Sequence, residues 1–393
     1  MPYENLPADV AARLDAARPV LVRNAAQGAA DRRIPDESID VLAKAGLFRV
    51  MVPKRHGGYE GSIRALLEAG ASVAETNGAA GWIVGLTQVC AWAVGLLSGK
   101  AQDDVFGANP DALVCGSLNP IGAGEKVDGG YRISGRWSYV SGSLHAEWAV
   151  LGFSLPETTP GGPDACVGLV PMAELELHDT WRMAGMRGTG SNTLTCEGVF
   201  VPDHRVMSHI AAGRGEYPTE FKDEVTYHAA WVPVLTLVLA GPLLGIGQAA
   251  LDHVRSAAGH KSIVATTFRR QADSPGFQIQ LAEAAMRLDT ARLHAFRAAD
   301  DIDRHAARHI VPDYDIRARI RADAAVAARC VTETVSILLD AHGSGGFAET
   351  DPLHRIWQDA NVGARHALLN ASIGLEVYGK ALLGVENHIS PVV

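Results

Sequence analysis

The spacing of apolar residues changes period twice along this chain, near residues 110 and 206. From residue 7 to about 106, Ala, Leu and Val recur at three- and four-residue intervals, the helical period. Six short β-branched or aromatic segments follow: ALVCGSL, YRISGRWSYVSG, EWAVLGFSL, ACVGLVPM, LELHDTW and NTLTCEGVFVP, separated by Gly, Pro and Asn. From about 224 to 386 the chain returns to long Ala/Leu/Arg stretches at helical spacing. A helix–strand–helix block order excludes alternating βα units and predicts an α+β protein. The predicted organisation is an N-terminal helical domain (1–110), a central antiparallel β-barrel or sandwich (111–206) and a C-terminal four-helix bundle (222–393). A length of 393 residues exceeds the usual single core. The stretch 278–308 carries a broad apolar stripe suited to bundle packing or to a subunit interface.

The net charge of −9 argues against nucleic acid or an anionic membrane as partner. Five cysteines lie far apart with no CxxC or Cys/His grouping, as expected of reduced thiols in a cytoplasmic protein. MPYENLPADVAARLD has no apolar run of the kind that marks a secretion signal. The longest apolar run, AAWVPVLTLVLAGPLLGIG at 229–247, contains two prolines and three glycines and reads as a buried core helix rather than a membrane span. GxGxxG after a strand, GxxxxGK[ST], HExxH and GxSxG are all missing from the sequence, and the fifteen histidines are dispersed, so no metal site is expected.

Three stretches place small polar residues inside otherwise apolar texture: CGSLNPIGAG (115–124), GRWSYVSGSLHAEW (135–148) and MRGTGSNT (186–193). Together they suit a flat aromatic ligand, with strand-end donors for its polar edge and aromatic walls for its faces. A fourth, RIWQDANVGARHALLN (355–370), reads as one helix with Asp359, Val362, Gly363, His366 and Asn370 along a single stripe. Asp359 is expected to pair with Arg355 one turn earlier.

Five segments in order, SLNPIGAG, RWSYVSG, MRGTGSNTLTCEGVFVP, LVLAGPLLGIGQAALD and HGSGGFAETDPLHRIWQDA, resemble the acyl-CoA dehydrogenase fold over nearly the whole chain. The resemblance implies flavin bound between the β domain and the C-terminal helices, and a homotetramer. The two places where that family supplies its catalytic glutamate fall on Ala367 and Leu235, neither of which can act as a base. His366, with the SGSLHAEW turn, instead resembles the oxygenase components of two-component flavin monooxygenases, relatives of 4-hydroxyphenylacetate 3-hydroxylase and of the steroid-degradation phenol hydroxylase. That branch implies reduced FMN or FAD supplied by a separate NAD(P)H:flavin reductase. It also implies O₂ as co-substrate and a C4a-hydroperoxide that hydroxylates a phenolic, polyketide-like or indolic substrate.

Carried onto this sequence, the resemblance assigns Ser141 to flavin N5 and His366 to the substrate phenol. It places Asn119, Trp137 and Tyr139 around the flavin. Arg269 with Arg270, Gly345 and Gly346 are assigned to its phosphate across a subunit boundary, and Trp82, Trp92, Ser117, Arg187 and Gly363 to the substrate pocket. TQVCAWAVG offers no histidine where the phenol hydroxylases carry one, which favours a larger, more apolar aromatic. Two alternatives stand beside this reading: a flavin dehydrogenase or oxidase with an unrecognised base, and a non-catalytic paralogue.

Overall fold

The computed structural model of the chain describes residues 3–156, 164–386, 389–390 and 393. Five helices come first: α1 (Ala8–Asp31), α2 (Asp36–Ala45), α3 (Ile63–Ala74), α4 (Gly78–Gly95) and α5 (Gly99–Phe106). Ser62, Asn77 and Ser98 cap the last three, each accepting the N–H three residues on. Strands β1 (Val114–Val127), β2 (Gly130–Val140), β3 (Trp148–Ser154), β4 (Ala165–Pro171), β5 (Glu176–His178), β6 (Asn192–Pro202) and β7 (Val206–Ser208) follow. The chain then forms α6 (His209–Gly213), α7 (Trp231–Leu237), α8 (Ala240–Ala257), α9 (Pro275–Ala306), α10 (Tyr314–His342), α11 (Pro352–Gly363) and α12 (Ala371–Leu382).

The seven strands make one sheet in the order β5-β6-β2-β1-β3-β4-β7. The expectation of a purely antiparallel domain needs one correction, because β1 and β3 run parallel, from Val114 opposite Trp148 onward. The hairpin β1–β2 leaves the chain on one side of β1, and segment 141–147 then crosses to its other side to begin β3. Pairing of β1 with β3 breaks between Ser117 and Gly122, so LNPI, residues 118–121, bulges out of the ladder. Trp137 fills the interior of this sheet, fully buried and donating its indole N–H to the Gly152 carbonyl at 2.7 Å. A Cβ on Gly122 would lie 2.4 Å from its ring, which accounts for glycine there.

The helices before and after the sheet share one apolar core running from Leu6 to Leu369, while the sheet encloses a second, smaller one. Helix α3 packs on α8 and α9, and α4 packs on α8. Trp92 and Trp231 stack at 5.6 Å inside the shared core, a large burial of aromatic surface. The 229–247 run becomes α7 and the first half of α8. These helices and α4 are long and apolar enough to cross a membrane, but 78% and 89% of their apolar windows are buried inside the protein. All five cysteines are free.

Candidate active site

The crossover forced by the sheet order carries the first functional group. Tyr139, on β2, has φ of +63°, a backbone region that a bulky side chain rarely enters. Its ring stands 68% exposed, edge-on to Trp181 at 5.7 Å. Two residues later Ser141 is buried, and its Oγ accepts the indole N–H of Trp82 from α4 at 3.2 Å. Ser141 Oγ lies 2.8 Å from Ser191 Oγ, which lies 2.6 Å from Thr189 Oγ1. Thr189 in turn donates to the Met186 carbonyl at 2.7 Å.

Each hydroxyl has one proton and two lone pairs, so this chain has only one direction. Thr189 uses its proton on Met186, so Ser191 must donate to Thr189. Ser141 must then donate to Ser191 while accepting from Trp82. What remains on Ser141 Oγ is one lone pair and no proton. A ligand meeting it there must bring a donor.

Asp359 of α11 anchors the far end of that chain. It is buried and accepts the Met186 N–H at 2.5 Å. This corrects the expected pairing with Arg355, which supplies only a charge attraction. Burial pushes the carboxyl up to about 6, against the lowering effects of the Met186 N–H and Arg355. A raised folded-state value means the stabilising contribution is complete below the unfolded value of 3.8 and is lost as pH rises through about 6. Asp359→Asn keeps an acceptor for Met186 and removes the buried charge. Its stability relative to the parent is expected to rise between pH 5 and pH 8 in denaturant melts. Asp359→Ala leaves the Met186 N–H without its acceptor and is expected to lose about 1–3 kcal/mol at both pH values. A parallel pH response of parent and Asn variant would refute the titration.

RIWQDANVGARHALLN is not one helix. Helix α11 stops at Gly363, and His366 takes extended angles (φ −56°, ψ 139°) at the start of a single 3₁₀ turn. Asn370 then caps α12 by accepting the Ser372 and Ile373 N–H groups. Side chains that cap compete with a continuous helix, and the apparent stripe crosses two such breaks. Asp359 and Gly363 remain on one buried face. A Cβ on Gly363 would lie 2.8 Å from Met186 Cε, 3.1 Å from Leu243 and 3.3 Å from Trp82. The missing side chain therefore serves close packing of α11 on α4, α8 and the 186–191 turn.

The break aims His366 at Trp82, with ring centroids 6.3 Å apart. Its surface is open to solvent, yet protein surrounds it deeply enough that desolvation pushes it down to about 4. Solvent access and desolvation coexist when a ring lines a concavity. Its Nδ1 accepts the Leu368 N–H at 3.3 Å, so the neutral ring carries its proton on Nε2, where it is available as a donor.

Tyr139, Ser141, Trp82 and His366 are thus joined into one region, together with Thr189 and Ser191, which the sequence marks only as part of segment 186–193, and Trp181, which it does not mark. Ser117 borders the β1 bulge and Asn119 lies within it, half-buried and exposed respectively. Trp137 and Trp92 are corrected to core residues, with both indole N–H groups taken, by Gly152 and by the Thr226 carbonyl. Arg187 is bound to the Ala29 and Met183 carbonyls, its guanidinium tying the 186–191 turn to the end of α1. Arg269 is exposed, and Arg270 pairs with Asp273. Gly345 lies beside Lys261, whereas Gly346 packs on Leu339, Leu353 and His342.

Residues 237–371 match the family described as Acyl-CoA dehydrogenase, C-terminal domain. Over 376 residues, covering 95% of this chain and 98% of the relative, the sequence is 34% identical to the flavin-dependent monooxygenase, oxygenase subunit HsaA, of Rhodococcus jostii. It is 32% identical to the FADH(2)-dependent resorcinol hydroxylase, oxygenase component, of a Rhizobium species, covering 90% of this chain and 89% of that one. The structure of XiaF from a Streptomyces species, in complex with FADH2 and glycerol, superposes with a TM-score of 0.91 at 32% identity, covering 98% and 97% of the two chains. Fold and relatives together define a flavin monooxygenase built on the acyl-CoA dehydrogenase architecture. The chain belongs to the family of flavin-dependent monooxygenase oxygenase components.

Proposed function

We propose that this chain is the oxygenase component of a two-component system that hydroxylates a phenolic or indolic aromatic. It takes reduced FMN or FAD from a separate NAD(P)H:flavin reductase, uses O₂ as co-substrate, and works in the cytoplasm. The observation that carries this reading is the directed hydroxyl chain. A reduced flavin carries a proton on N5 and an oxidised flavin does not, and Ser141 offers only an acceptor. The residues present therefore fit the reduced cofactor. Bound there, it supplies the electrons that activate O₂ for transfer of one oxygen atom to the ring.

The protein's own groups hold, orient and shield. Ser141 would accept a hydrogen bond from the flavin N5–H, Tyr139 would wall the ring, and the buried Trp82 would exclude water from the side facing His366. His366 Nε2–H holds the substrate oxygen. Desolvation pushes this ring down to about 4, which makes it a poor base for a phenol near pKa 10, so its role shifts from proton acceptor to hydrogen-bond donor toward the phenol oxygen. A homotetramer belongs to this reading, supported by Ile279, Met286 and Leu293, which stand 65–68% exposed at seven-residue spacing along α9. The dehydrogenase alternative gains nothing: Leu235 and Ala367 occupy both places for its base, and the Asp359 carboxylate is committed to Met186.

The test is anaerobic titration with reduced and oxidised FMN and FAD, followed by rapid mixing with O₂. Reduced flavin is expected to bind at least about tenfold tighter, one hydrogen bond to the site's acceptor, and to reoxidise more slowly than free flavin. Equal affinity for both redox states, with reoxidation at the free-flavin rate, would end the proposal.

A further inference from the structure

Away from this site, three helices bring together side chains that lie far apart in the sequence. His253 projects from α8, His342 is the last residue of α10, and Asp351 caps α11. One ligand atom from each lies within 4.8 Å of the other two. His342 Nε2 lies 3.2 Å from Asp351 Oδ2, and His253 Nε2 lies 2.9 Å from Asp351 Oδ1. That second pair is close without making a hydrogen bond: His253 Nε2 is buried and lacks a hydrogen-bond partner, as does His342 Nδ1. His342 is 5% exposed. A buried ring nitrogen in this state is costly, and here it lies beside a carboxylate without its N–H being directed at it.

We propose that His253, His342 and Asp351 form a binding site for one divalent transition-metal ion of the zinc class. Each imidazole nitrogen lies against one oxygen of the same carboxylate, at 2.9 and 3.2 Å, and the three ligand atoms all lie within 4.8 Å of one another, so they close inward to share an ion about 2.0–2.2 Å from each. Two nitrogens and one carboxylate select zinc, nickel or copper over calcium and magnesium, which take oxygen ligands. Both rings coordinate as neutral imidazoles, so binding displaces any proton held between them and Asp351. The opposing charge is the Lys261 ammonium, which burial disfavours and Asp351 attracts. Bound metal joins α8 and α10 to the start of α11, the helix that carries Asp359.

Equilibrium dialysis of the chelator-stripped full chain against zinc chloride at neutral pH tests this. One equivalent is expected to bind with Kd of about 10 μM or tighter, and to raise the melting temperature by several degrees through linkage. Asp351→Asn keeps the helix cap, and His253→Gln alters a half-buried position. Both are expected to weaken binding at least about 100-fold while leaving the metal-free melting temperature within about 2 °C. Less than half an equivalent bound at about 100 μM zinc overturns the site. So does undiminished binding in both variants, which would assign the zinc to other histidines.

Discussion

His366→Ala is expected to lower the rate of product formation by about 10²-fold, the usual cost of misplacing a substrate at the reacting centre, while the affinity for reduced flavin changes little. Single-turnover product yield against flavin reoxidation separates the two quantities. The geometry makes a sharper distinction through His366→Gln. A glutamine amide can donate to a substrate oxygen but cannot serve as a base. If Nε2–H is a donor, glutamine restores at least about tenfold over alanine. If the ring strips a proton, glutamine and alanine are equally poor. The titration near 4 adds a second expectation: the parent rate shows no inflection from this ring between pH 5.5 and 8. An inflection near pH 6.5 that vanishes in the alanine variant would restore the base.

Ser141→Ala is expected to abolish the preference for reduced over oxidised flavin and to divert most electrons to hydrogen peroxide. It removes the acceptor and also leaves the Trp82 indole N–H without a partner, a penalty of about 1–3 kcal/mol. Ser191→Ala is the more informative change. It leaves Ser141 in place but removes the group to which Ser141 must donate, freeing that proton to turn toward the ligand. Oxidised flavin, whose N5 accepts, should then bind better than in the parent, narrowing the redox preference without touching the cofactor. Binding titrations with both redox states measure this directly. An unchanged ratio would show that proton order in the hydroxyl chain has no bearing on flavin choice.

The block order of helix and strand was legible because period-2 and period-3.6 patterns survive in the sequence regardless of tertiary contacts. The segment MRGTGSNT is unusual in sequence and its charged residue, Arg187, is the conspicuous one, but the fold ties that side chain to the Ala29 carbonyl at the end of α1. Its neighbours Thr189 and Ser191 act only through partners 50 residues and more away or through the tight turn they themselves build. Trp137 was misplaced because an aromatic beside a Ser-Gly turn looks the same from sequence whether it faces the sheet interior or a ligand. The helix break at Gly363 escaped notice because apolar spacing continues through it, and only the capping by His366 and Asn370 reveals it. The His253, His342 and Asp351 cluster has no local signature at all.

The shared core of the leading and trailing helices bears on how the chain is made. Gly245 of α8 lies so near α3 that a Cβ there would sit 2.1 Å from the Ala71 carbonyl, and the intervening sheet separates these partners by more than 170 residues. During synthesis α3 and α4 leave the ribosome with their apolar surfaces unmatched and stay so until α8 emerges. High sequence separation of this kind slows folding and lengthens the exposure of sticky intermediates. Fragments that end after the β strands should therefore be poor substitutes for the whole, and the nascent chain is a natural client for chaperones.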